Sequence, residues 1–315
     1  AVMLDLAPFA LGTDTGGSIR LPASYCGAVG YKPTYGLVSR SGVVAMASST
    51  DVIGPITKTV DDTALVLDVM AGRDELDSTT IEKDAVGYAD LGLTGPSRIG
   101  VIKEYMGEGL APGTRHVIEQ SIENLKAAGH EIVEVSLPSL PAALAVYYII
   151  CPAEVSSNLS RYDGQRFAHT FKDAKNLDES YMKSRSTGFG KEAKRRIMIG
   201  TYVLSSGYYD AYYKKAQIVR TKLINEFNSA FEQVDFLIGP TAPDTAFKIG
   251  ENISDPLQMY LVDILTVAAN LVGVPAISLP AGLDDNLPVG VQLMAPQRAD
   301  RALLQLAKQT EGLLA

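Results

Sequence analysis

Between residues 98 and 137 the spacing of apolar positions changes twice. Arg98-Ile99-Gly100-Val101-Ile102 is a short apolar run that predicts a strand. Arg115 to Ala128 puts Val117, Ile118, Ile122 and Leu125 on one helical face, and Glu131 to Leu137 alternates as a second strand. A strand-helix-strand order implies a parallel pair in an α/β fold. Thr59 to Ala71 predicts a helix with Thr59 as cap, Asp61 and Asp62 in the first turn and Gly72 as its stop. Further on, Pro138 to Asp163 and Tyr208 to Glu232 predict helices. Asp235 to Gly239 predicts a buried strand feeding the Pro240–Pro243 turn, Ala276 to Leu279 and Val289 to Met294 two more strands, and Arg301 to Leu314 a terminal helix.

Other stretches are less regular. Ala1 to Leu11 is mostly apolar and predicts a buried helix end or strand delivering the next loop into the core, and Pro22 opens a short helix over Leu21–Tyr25. From Gly27 to Pro55 glycines and prolines interrupt short apolar runs such as Gly36-Leu37-Val38 and Gly42-Val43-Val44, a pattern of loops and short strands. The charged section Gln165 to Lys191 predicts a surface excursion. With no internal repeat or linker, residues 1–315 read as one α/β domain.

Composition narrows the function. The 315 residues are 46% apolar, enough for a substantial core, and the net charge of −8 argues against a chain that grips nucleic acid along its own surface. Cys26 and Cys151 are too few and too far apart for a metal site or disulfide framework, and read as small core residues in a reducing cytosol. No window of about 18 consecutive apolar residues occurs, and the start lacks a signal-peptide layout, so a cytoplasmic location is expected.

The candidate chemistry sits in ALGTDTGGSIRLPASYCGAVGYKP, residues Ala10 to Pro33. Gly12, Gly16 and Gly17 allow tight turning, and Thr15-Gly16-Gly17-Ser18 offers successive N–H groups beside a serine hydroxyl, an arrangement suited to a nucleophile with an oxyanion hole. Gly-Gly-Ser is also ordinary loop composition, which on spacing alone is the commoner explanation. The phosphate-binding and hydrolase-elbow patterns are absent, since Gly17 is followed by Ser18-Ile19. Asp14 and Arg20 flank Ser18, but no histidine is near, so they read as an ion pair bracing the loop rather than a triad. Lys32, before Pro33, reads as structural.

Gly12-Thr13-Asp14-Thr15-Gly16-Gly17-Ser18-Ile19-Arg20, followed by Pro22-Ala23 and Cys26-Gly27, resembles the second half of the signature of the amidase signature family. Within it, Gly30 to Gly36, Ser156 to Gly164, Lys194 to Ile197, Gly200 to Tyr202 and Ser205 to Asp210 resemble the A subunits of aspartyl/glutamyl-tRNA amidotransferases. The resemblance implies an amidase-signature fold, a mixed central sheet covered by helices on both faces. It implies Ser18 as nucleophile, with Thr15, Gly16 and Gly17 as oxyanion hole, in a glutaminase that supplies ammonia for converting Glu-tRNA(Gln) to Gln-tRNA(Gln). It further implies B and C partner subunits in a heterotrimer, aminoacyl-tRNA reached through the B subunit, and no cofactor in this chain, ATP and Mg being used on the partner. The family's activating lysine and bridging serine lie upstream of the nucleophile segment, and this chain opens at Ala1, so it reads as N-terminally truncated. The 315-residue chain alone is therefore expected to lack glutaminase activity and to expose apolar surface.

Three residues outside the loop complete the candidate site. Asp263 is the only charged side chain between Pro256 and Leu283, a buried carboxylate in need of a partner; a core salt bridge is one reading, and the resemblance implies a grip on the amino group of glutamine. Arg196 shares a helical face with Gly200 and Val203, which favours burial; it either forms an ion pair with Glu154 or Asp163 or, as the resemblance implies, binds the glutamine carboxylate, a role one position away from Arg195. Tyr148 matches a third substrate contact of the family, although tyrosines of apolar helices usually serve the core.

Overall fold

The computed structural model describes residues 1–92, 95–251 and 256–314. Residues 1–42, 50–144 and 220–315 form one compact unit, and residues 43–49 and 145–219 a second.

The first unit is built on strands β1 (Ala10–Asp14), β2 (Val29–Lys32), β3 (Val52–Thr57), β4 (Arg98–Ile102), β5 (Glu131–Val135), β6 (Phe236–Pro240), β7 (Ala276–Asp284) and β8 (Leu287–Met294). They form one sheet in the order β1-β3-β2-β7-β8-β6-β4-β5. β4 runs parallel to β5 and β6, as the strand-helix-strand pattern predicts, and the pairs from β1 through β6 are antiparallel, so the sheet is mixed. The helices are α1 (Arg20–Cys26), α2 (Val60–Met70), α3 (Pro112–Ala127), α4 (Ala143–Asn158), α5 (Leu177–Gly188), α6 (Lys191–Leu204), α7 (Lys215–Gln233), α8 (Pro256–Leu261), α9 (Val267–Val272) and α10 (Asp300–Leu314). Local chemistry explains their ends. Thr59 accepts from the Asp62 N–H at the start of α2, Pro112 opens α3, where a missing N–H costs nothing, and Gly27 closes α1 at φ 66.

Period-two alternation along β8 divides the layers. Val289, Val291 and Leu293 belong to the core with Ile118 and Leu125 of α3 and Leu303, Leu304 and Leu306 of α10. The intervening Gly290 and Gln292 face the α1 side, where a Cβ on Gly290 would meet Ser24 Cβ at 2.6 Å and Gln292 bonds Arg20. Helices therefore cover both faces, and α1 with its preceding loop lies on the face opposite α3 and α10.

Several expectations need correction. The Ala1–Leu11 segment does lead into a strand, β1, but is not buried: Leu4, Leu6 and Phe9 before the strand are exposed, and so is Leu11 on β1, an edge strand paired only with β3 among the described residues. In Gly27–Pro55 the strands are β2 and the start of β3, not the runs at Leu37 or Val43. Gln165–Lys191 lies at the surface as expected, exposed or half-buried at every residue but Ser184, and it contains α5, capped by Asn176, which accepts from the Glu179 N–H. The helix expected from Tyr208 begins as a wide π turn over Tyr209–Lys214 before α7. Cys151 is buried as expected, whereas Cys26 is exposed, because it ends α1 beside the Gly27 turn.

The second unit is helical. Gly200 of α6 lies so close to α4 that a Cβ there would sit 1.9 Å from the Pro152 carbonyl oxygen, and Ser156 Oγ and Thr201 Oγ1 meet at 2.9 Å. The run Leu140–Arg161 is long and apolar enough to cross a membrane by length and composition alone; half of it is buried inside the structure, as in a core helix.

Candidate active site

The loop after β1 is buried at every residue from Asp14 to Arg20 except Ser18, which is exposed. What holds it is a polar cluster that the sheet and α9 close around Arg20. The guanidinium forms a two-point ion pair with Asp14, Nε to Oδ2 and Nη2 to Oδ1 at 3.0 Å each. Nη1 donates to Gln292 Oε1 at 2.5 Å; Nη2 also donates to Asn270 Oδ1 at 2.6 Å and the Thr266 carbonyl at 3.1 Å. Asn270 Nδ2 returns a bond to Asp14 Oδ1 at 2.9 Å and its carbonyl at 2.8 Å, while Gln292 Nε2 donates to the Leu265 carbonyl at 2.9 Å. Asp14 and Arg20 are fully buried and hydrogen-bonded on all sides, which is what a buried ion pair requires to be tolerated. The expected brace is present.

Charge in this cluster shifts two titrations. Burial pushes the Asp14 carboxyl up, but Arg20, Lys32 and the Asn270 hydrogen bond outweigh it and bring it down to about 2. Lys32, at the end of β2, donates to the Pro33 carbonyl at 3.1 Å; burial and then Arg20 lower its amine to about 7, against the pull of Asp14 and Asp300.

The backbone of Thr15-Gly16-Gly17-Ser18 is fixed atom by atom. Thr15 Oγ1 donates to Asp51 Oδ1 at 2.7 Å, Thr266 Oγ1 to the Gly16 carbonyl at 2.6 Å, and the Leu21 N–H to the Gly17 carbonyl at 2.8 Å. The Ile19 and Arg20 N–H groups turn back to Asp14 Oδ2 at 3.3 and 3.4 Å. Gly17 sits at φ 138, and a Cβ on it would come within 2.2 Å of Thr266 Oγ1, so both its conformation and its neighbour demand glycine. The result is a hydroxyl presented to solvent on a loop that is otherwise locked, with Thr15, Gly16 and Gly17 beside it. Such an arrangement suits nucleophilic attack on a carbonyl with N–H groups to receive the oxyanion.

Asp263 lies in the same unit, on the turn between α8 and α9, and is half-buried rather than buried in the core. Its carbonyl accepts from the N–H groups of Thr266 and Val267 at 3.0 and 3.1 Å, which ties this turn to the serine loop through Thr266. Tyr25 of α1 registers the charge nearby: burial, then Asp244 and Asp263, push its hydroxyl up to about 12. The same turn also lines, through Leu261, Ile264 and Leu265, a cavity of about 410 Å³ with Tyr105 and Pro243. Ser18 is not part of its lining, so the cavity is no guide to where the serine acts.

Arg196 and Tyr148 belong to the second unit. Arg196 is 17% exposed; its Nε holds Glu192 Oε1 at 2.9 Å one turn back along α6, and its Nη1 lies 3.9 Å from Cys151 Sγ of α4. The expected partners Glu154 and Asp163 are engaged elsewhere, Glu154 with the Ser49 N–H and hydroxyl and Asp163 with the N–H groups of Gln165 and Arg166. Burial, outweighed by Glu192 and the neighbouring Cys151, Tyr147 and Tyr148, leaves the guanidinium more firmly protonated than usual. Tyr148 is half-buried on α4, its ring edge-to-face with Tyr147 at 5.1 Å. Arg195 is 44% exposed and pairs with Glu192.

Sequence reasoning does not single out Thr266, Asn270 or Gln292 as site residues. For two of them the signal is present: Asn270 and Gln292 are polar residues inside apolar runs, the feature that singles out Asp263.

Several proteins of known name are similar to this chain over nearly its whole length. The A subunit of the glutamyl-tRNA(Gln) amidotransferase of Caldanaerobacter subterraneus is 56% identical over 310 residues, 98% of this chain and 63% of that protein. Its counterpart in Geobacillus thermodenitrificans is 52% identical over 99% of this chain and 64% of its own length. The chain thus spans less than two thirds of the curated relatives it matches. Among solved structures, the glutamyl-tRNA(Gln) amidotransferase A subunit of Thermotoga maritima superposes with a TM-score of 0.77 at 44% identity, covering 96% of this chain and 61% of its own. A 6-aminohexanoate cyclic dimer hydrolase bound to substrate gives 0.80 at 26% identity, covering 100% and 66%. The amidase family model matches residues 1–304, and the chain therefore belongs to the amidase family.

Proposed function

We propose that this chain carries the nucleophile and the amino-acid-binding residues of a glutaminase that supplies ammonia to a tRNA-dependent amidotransferase, in the cytoplasm. Ser18 Oγ attacks the side-chain amide carbon of glutamine. The amide nitrogen leaves with a proton as ammonia, and water then hydrolyses the glutamyl ester to glutamate and free serine. N–H groups of Thr15, Gly16 and Gly17 receive the charge that develops on the carbonyl oxygen, Asp263 binds the substrate ammonium, and Arg196, with Tyr148, its carboxylate. Ammonia passes to aminoacyl-tRNA activated with ATP and Mg on one member of a B and C pair of partners, which fits a net charge of −8 on a chain that need not hold tRNA itself.

The observation that supports this reading most is the exposure of Ser18 on a loop whose every neighbour from Asp14 to Arg20 is buried and hydrogen-bonded. In the full-length protein assembled with its partners, Ser18→Ala is expected to abolish ammonia release from glutamine while leaving synthesis from free ammonia intact. Loss of both in a folded complex contradicts the assignment. Solved amidases at 26–29% identity support a second reading, a stand-alone amidase on other amides. An amino-acid substrate needs both charges matched, so insensitivity of turnover to Arg196→Ala and Asp263→Asn favours that alternative.

A further inference from the structure

Thr266 is separated from Gly16 by 250 positions and is fully buried, yet its hydroxyl is the group that holds the Gly16 carbonyl. A hydroxyl has one proton to give. Thr266 Oγ1 lies 2.6 Å from the Gly16 oxygen and 3.1 Å from that of Asp263, and the Asp263 carbonyl already accepts from the Thr266 and Val267 N–H groups, so the proton belongs to Gly16.

A trans peptide is planar, with its C=O and N–H pointing in opposite directions. Pinning the Gly16 oxygen on the buried Thr266 therefore turns the Gly17 N–H away from it. The next peptide is set in the same manner: the Gly17 carbonyl accepts from the Leu21 N–H at 2.8 Å, which turns the Ser18 N–H away from α1. Among the described residues neither of these two N–H groups donates a hydrogen bond within the protein, although the N–H groups of Ile19 and Arg20 both do. Two oriented, uncommitted donors beside an exposed serine are what an oxyanion requires. Because Gly17 has φ 138, its peptides are not held by steric preference, and without the hydroxyl the Gly16–Gly17 unit could rotate.

We propose that Thr266 is a positioning residue for acyl transfer: its hydroxyl fixes the Gly16–Gly17 peptide so that the Gly17 N–H is aimed at the developing oxyanion, and its backbone joins that peptide to the Asp263 turn. The inference rests on the glutaminase reading and adds to it a residue that touches neither substrate nor Ser18.

The test compares Thr266→Val, which keeps the shape and loses the donor, with Thr266→Ser, which keeps the donor, in the full-length protein with its partners. Thr266→Val should lower kcat for ammonia release at least about tenfold, as expected for weakening an oxyanion donor, with glutamine KM within about twofold and ammonia-dependent synthesis unchanged. Thr266→Ser should stay within about threefold of wild type. A glutamine-derived aldehyde, which forms a tetrahedral adduct with the serine, should bind Thr266→Val more weakly than Thr266→Ser by a similar factor; if the valine variant does not fold, Thr266→Ala takes its place. Wild-type turnover in Thr266→Val, beside an active wild type and an inactive Ser18→Ala, overturns this inference alone, as does a serine variant as impaired as the valine one. Undiminished ammonia release in Ser18→Ala overturns the glutaminase reading and this inference with it.

Discussion

Arg20 and Arg196 are both largely withdrawn from water, and they are held in opposite ways. Arg20 is fully buried and spends its donors on four residues drawn from β1, the Thr266 turn, α9 and β8. Arg196 has one close partner, Glu192 on its own helix, and among the described residues its Nη2 has no hydrogen-bond partner. A guanidinium whose donors are consumed braces a fold, whereas one with donors in reserve beside tyrosines and a partly open face can accept a carboxylate. Sequence alone already reads Arg20 as the partner of Asp14, but it leaves Arg196 open between an internal ion pair and a carboxylate ligand.

The contrast predicts a separation of effects. Arg20→Met leaves Asp14 buried without its countercharge, and breaking a buried pair in this way costs about 3–5 kcal/mol. Urea unfolding should show that loss, and glutamine turnover should fall only as the folded fraction falls or the serine loop loosens. A variant of wild-type stability would mean that the cluster tolerates an uncompensated carboxylate, and the contrast would fail.

The second expected effect is on acid stability. Asp14 titrates at about 2 in the fold and near 3.8 when unfolded, so its contribution is present above the unfolded value and is lost as pH falls through the folded one. That difference corresponds to about 2 kcal/mol, lost between pH 4 and pH 2. Asp14→Asn should flatten stability in that window, measured by urea midpoints at successive pH values; an unchanged slope contradicts the pairing.

The smallest effect on stability belongs to Arg196→Ala. Its pair with Glu192 is a helical i,i+4 contact worth about 0.3–0.5 kcal/mol, so unfolding should barely change. Glutamine KM in the assembled protein should nevertheless rise at least about tenfold, about 1.4 kcal/mol, because the substrate carboxylate loses its partner. The reverse outcome, unaltered KM with a large stability loss, would make Arg196 a second Arg20.

Legibility followed the range of the interactions. Elements set by local periodicity were readable: β4 matches its predicted bounds, α2 and α3 agree within a few residues, and the parallel β4–β5 pair follows from their order. β3 was obscured because Gly54 and Pro55 sit inside it; Gly54 packs so tightly that a Cβ would lie 2.0 Å from the Tyr31 carbonyl oxygen. α5 was obscured by its charge, although Asn176 with Asp178 and Glu179 is a readable start signal. The serine loop was readable as a candidate from its glycines and serine. Its support was not, since Thr266, Asn270 and Gln292 act across more than 240 positions and only folding brings them to Gly16, Asp14 and Arg20.

The most direct test is to quench the full-length protein during glutamine turnover and map the covalent adduct by mass spectrometry. The account predicts a glutamyl group on the peptide containing Ser18, absent from Ser18→Ala and accumulating when hydrolysis is slowed. An adduct on another residue, or ammonia release by Ser18→Ala at the wild-type rate, would contradict it.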